Sequence, residues 1–104
     1  MLNNIYVFFI VSMVFSTPIL LAEKGEVIFE KGDHYVIDTR TGYAVAEWYG
    51  GGIPSEGNQV IGNLSSYGFK DIYNTSTEME IRMYIEDYML DEDDAIELVY
   101  ELED

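Results

Sequence analysis

The chain has one histidine, His34, with Asp33 beside it and Asp38 four residues on. This trio is the nearest approach to acid–base machinery in 104 residues that include no cysteine. On an extended strand His34 and Asp38 share a face but stand about 13 Å apart, too far to work as a pair. His34 is therefore expected at a solvent-side turn. A lone histidine without thiols also lacks the ligand clustering that zinc favours, so no metal set and no cofactor are expected. The run Asp91-Glu92-Asp93-Asp94 supplies carboxylates. A calcium loop, however, needs acids at alternate positions around a central glycine, and no glycine follows Gly68. With 20 acids in the chain, carboxylate pairs arise by number alone and single out no glycosidase site. The expectation is a protein that is not an enzyme.

The aromatic residues point further. Tyr43 and Tyr49 flank Glu47 on the outward side of one segment, and Tyr67 and Phe69 bracket Gly68 in another. Exposed rings beside carboxylates suit sugar rings by stacking, or cationic side chains by cation–π attraction. Tyr43, Glu47, Tyr49, Tyr67 and Phe69 are accordingly the candidate partner-binding residues. The alternative is that a C-terminal helix covers this face and makes the same residues core.

The elements that must position them begin with a meander. Val27-Ile28-Phe29, His34 to Asp38 and Tyr43 to Tyr49 read as three strands, with turns at Lys31-Gly32-Asp33 and Thr39-Arg40-Thr41-Gly42. Alternation in the third strand sends Ala44, Ala46 and Trp48 inward, and Tyr43, Val45, Glu47 and Tyr49 outward. Small residues beside one large ring fit a narrow barrel interior. Gly50 to Ser55 reads as a loop, Gln59 to Leu64 as a strand, Ser65 to Lys70 as a second loop, and Asp71-Ile72-Tyr73 as a strand before the turn Asn74-Thr75-Ser76-Thr77. Residues 79–88 carry two patterns. Ile81, Met83 and Ile85 alternate as in a strand, which is favoured, whereas Thr77-x-x-Glu80 could cap a helix. Asp91 is placed as the N-cap of a last helix with Glu92, Asp93 and Asp94 in its first turn and an apolar stripe of Ala95, Ile96, Val99, Tyr100 and Leu102.

The segment Tyr35 to Trp48, with its D-x-x-T-G turn, resembles the second hairpin of an OB-fold barrel. Glu56 to Leu64 is similar to the G-D-x-V-x-G-x-L strand that follows in such folds, a rhythm shared by SH3-like barrels. The resemblance implies a small closed barrel and transfers no ligand. The expected fold is mainly β, a five- or six-stranded barrel of OB-like or SH3-like type with one C-terminal helix. Gly50–Gly57 leaves no room for a helix between the third and fourth strands.

Compartment and charge come from one boundary. Residues 1–22 carry no charged side chain, and 18 of them, Ile5 to Ala22, are almost unbroken apolar. That length suits a signal peptide, cleaved after Ala22, or a retained membrane anchor formed by residues 5–22. Residues 23–104 then form a single domain, exported to the periplasm or the extracellular space, or tethered to a membrane only through the N-terminal segment. All 20 acids and 5 bases lie in this domain, a net charge of −15. Such a surface excludes binding to nucleic-acid phosphates and attracts cations. The leading expectation is an exported binding module that engages a basic protein, as an inhibitor or immunity-type partner would. The alternative is an OB-like barrel that binds oligosaccharide or cell wall through exposed aromatics.

Overall fold

A computed structural model describes residues 22–104. The reading of residues 1–22 as signal or anchor falls, apart from Ala22, outside the described residues. Among the described residues six strands and one helix follow in order: β1 (Glu23–Lys31), β2 (His34–Thr39), β3 (Gly42–Gly51), β4 (Gln59–Gly62), β5 (Gly68–Asn74), β6 (Met79–Leu90) and α1 (Glu92–Glu103). The strands close into an antiparallel barrel in the order β1-β2-β3-β6-β5-β4, with β4 returning to β1. This is the expected small OB-like barrel with a C-terminal helix, in its six-stranded form.

The meander forms as its turns dictate. Gly32 takes φ +60° in the two-residue β1–β2 turn, a left-handed conformation that glycine adopts without steric cost. Segment 79–88 is strand throughout, with Ile81, Met83 and Ile85 all buried. The alternation prevails over the capping signal because it fills the barrel interior. β5 starts earlier than the sequence suggests: Gly68, Phe69 and Lys70 are strand, paired with Ile85, Tyr84 and Met83 of β6. Likewise Gly50 and Gly51 extend β3 rather than opening a loop, since both pair with β6.

The barrel holds one core and the helix makes a second. Inside lie Val27, Tyr35, Ile37, Ala44, Ala46, Val60, Leu64, Ile72, Ile81, Met83 and Ile85, with Trp48 packed against them. Gly25 is needed in this interior, because a Cβ there would stand 2.5 Å from Ile37 Cγ2. Outside, Val36 of β2 and Val45 of β3 are sealed by Ala95 and Val99 of α1. β2 is thus buried on both faces at its start.

Two expectations for the helix need correcting. Asp91 has the extended backbone of an N-cap but makes no side-chain cap hydrogen bond; its carbonyl accepts from the Ala95 N–H at 3.0 Å. Tyr100 and Leu102 are exposed, and Leu98 packs against the helix-side core instead. The buried stripe is narrower than the apolar pattern, because α1 lies on a curved barrel wall that meets few of its positions.

Candidate functional site

β3 and β6 run side by side with interruptions in their pairing, and the interruptions bracket the site. Trp48 pairs with Met83 but Gly50 with Arg82, so Tyr49 is an extra residue on β3. Val45 pairs with Asp87 but Ala46 with Ile85, so Glu86 is an extra residue on β6. Bulges of this kind bend a strand and re-aim side chains. Between them Glu47 pairs with Tyr84, which in turn pairs with Phe69 of β5.

Tyr49, Phe69 and Tyr84 consequently meet in one patch. The Tyr49 and Phe69 rings are edge to face at 4.8 Å, Phe69 and Tyr84 at 5.0 Å, and Tyr49 and Tyr84 are tilted at 6.5 Å. Tyr49 remains 53% exposed and Phe69 48%. The Arg82 guanidinium lies over the Phe69 ring at 5.0 Å and is paired with Asp71 at 3.0 Å. The Glu47 charge beside Tyr49 raises its phenol above the ordinary value, with partial burial and the Glu86 charge adding.

The five candidate residues do not form one surface. Tyr49 and Phe69 share the patch just described, and Glu47 borders it. Tyr67, 61% exposed, belongs to a separate pair: its ring meets Tyr88 at 4.9 Å and its hydroxyl donates to Asp87 at 3.3 Å. Asp87 raises the Tyr67 phenol by charge first and hydrogen bonding second. Tyr43 is half-buried and packs with the helix-side core. The covering helix therefore takes one end of the outward face of β3 and leaves the other open. Tyr84 was missed by sequence reasoning, although its alternation opposite Ile81, Met83 and Ile85 points it outward.

His34 is the larger correction. It is not a solvent-side turn residue but only 5% exposed. Its Nδ1 meets Glu103 Oε2 at 2.5 Å, and the Asp33 N–H donates to the same oxygen at 3.0 Å. The hydrogen bond from His34 holds the Glu103 carboxyl below its ordinary value, helped by the Asp33 amide and opposed by partial desolvation. Gly32 makes the approach feasible, since a Cβ there would fall on the Glu103 carboxylate. On the other side of the ring, Nε2 faces Glu47 Oε1 at 3.7 Å. A signal was present: Val36 is apolar on the outward face of β2, so the neighbouring outward residue at the same end, His34, also falls under whatever covers it.

The distance argument against a His34–Asp38 pair holds, for Asp38 is exposed and pairs across to Glu26 and Tyr43. Compared with known proteins, the chain matches no family model, no curated protein and no solved structure.

Proposed function

We propose that the domain is a non-catalytic binding module, placed outside the cytoplasm, that holds an oligosaccharide on the Tyr49–Phe69–Tyr84 patch. The exposed aromatic cluster carries this reading. Its rings offer apolar area to the C–H faces of a sugar, and two half-exposed rings left on a water-soluble barrel call for a ligand more than for packing. Glu47 at the border accepts hydrogen bonds from sugar hydroxyls, and Arg82 donates them.

A glycan array probed with the chain, followed by titration of the best hit, tests this. Binding insensitive to salt and lost in Tyr49→Ala is expected; failure to bind any glycan removes the reading. The net charge of −15 favours a second reading, a basic protein partner. Complexes of that kind weaken steeply with salt, so a pull-down at low and high ionic strength separates the two.

A further inference from the structure

The His34 ring has one nitrogen accounted for. Glu103 Oε2 belongs to a carboxylate, which accepts, so the proton of the neutral ring sits on Nδ1. Nε2 then carries a lone pair. It is shielded from water and, among the described residues, has no hydrogen-bond partner, in a residue 5% exposed. Glu47 Oε1 stands 3.7 Å from it, and one ligand atom each of His34, Glu47 and Glu86 lie within 4.8 Å of one another. A lone pair aimed at two anionic groups is favourable only with a cation between them.

We propose that His34 Nε2, Glu47 and Glu86 bind a single divalent transition-metal ion of the zinc class. The donor set decides the class. Calcium and magnesium take oxygen ligands, whereas imidazole selects zinc and its first-row neighbours. Donors about 2.1 Å from a tetrahedral metal stand about 3.4 Å apart, close to the 3.7 Å between Nε2 and Glu47 Oε1. Glu86 closes the remaining gap by side-chain rotation from its bulge. The outer partner is already in place, because a ligating histidine normally gives its second ring N–H to a carboxylate, as His34 does to Glu103. Three protein ligands leave a fourth position open. It faces solvent between Glu47 and Glu86, both only half-buried, on the border of the aromatic patch. The metal site stands independently of the saccharide reading, because it is measured without any sugar.

The test is titration of the chain with Zn²⁺ by calorimetry and with Co²⁺ by visible absorption, in about 0.15 M salt so that diffuse attraction to exposed acids is screened. One ion per chain is expected, not displaced by excess Ca²⁺. Glu86→Gln, at a half-buried bulge, keeps the far-ultraviolet spectrum and weakens binding by more than tenfold. Asp93→Asn, exposed on α1, leaves it within about twofold. Glu103→Gln weakens it by about 10–100-fold through the histidine, as loss of an outer-shell partner does. Several weak ions per chain, indifferent to Glu86→Gln, would mean diffuse screening and overturn the site. Absence of Zn²⁺ and Co²⁺ binding overturns it equally.

Discussion

The outward face of β3 has two fates within one strand. At its start, Val45 is fully buried and Tyr43 half-buried beneath α1; at its end, Tyr49 stands half in water against Phe69 and Tyr84. Both ends carry apolar residues, so local composition does not separate them. Reach does. Twelve helical residues span about 18 Å, while Tyr43 to Tyr49 covers about 20 Å of strand, and the helix also crosses to β2 and β1. What the helix covers becomes core, and what it leaves becomes surface available to a ligand. His34, Glu47 and Glu103 lie at the limit of that cover, where α1 ends.

The comparison breaks most sharply on the covered side. Val45→Asp places a carboxylate between β3 and the helix, where Val45 is 0% exposed, and should cost at least about 4 kcal/mol in urea unfolding. For a domain of this size that is a large share of the whole stability, about 5–15 kcal/mol in typical proteins. Glu103→Ala comes next. It removes the acceptor of the Asp33 and His34 N–H groups and should lower stability measurably but less than Val45→Asp, since the site is partly open to water. Its loss should also raise amide exchange throughout α1 while leaving β5 and β6 unchanged.

On the open side the order of effects reverses. Tyr49→Ala should cost little stability, because the ring stands half in water, yet abolish glycan binding. Equal losses of stability and binding would show that the patch is core after all. The smallest effect is pH-dependent. Glu103 has a lower carboxyl pKa folded than unfolded, so its contribution is fully present above the ordinary carboxylate value near 4.3 and lost as pH falls through the folded value. NMR chemical shifts followed down from neutral pH should show α1 loosening before the barrel, with the aromatic patch unmoved.

Much of the barrel was legible because each strand repeats its inside–outside alternation locally. Ala44, Ala46 and Trp48 point inward for the same reason that Ile81, Met83 and Ile85 do. The start of β5 was hidden because Ser65, Ser66 and Gly68 carry a loop signature, which pairing with β6 overrides from Gly68 onward. The bulge at Glu86 shifts the alternation, so that Tyr88 follows Ile85 inward at a spacing of three, and a strict period of two does not find it. The position of His34 depends on a residue 69 places away, and no local window contains both. Alternation correctly put Tyr43 and Tyr49 on one face; it carries no information about where a later helix stops.

That 69-residue separation bears also on how the molecule forms. The meander β1-β2-β3 and the β5–β6 hairpin are local and can assemble early. Joining β1 to β4 and β3 to β6, then docking α1 on His34, requires distant segments to meet before any contact rewards the loss of chain freedom. Refolding is therefore expected on the millisecond-to-second scale of barrels rather than the microsecond scale of helical bundles, which stopped-flow Trp48 fluorescence would report. Until the helix docks through Ala95 and Val99, Val36 and Val45 face water. In a newly made chain this is the surface a chaperone would find.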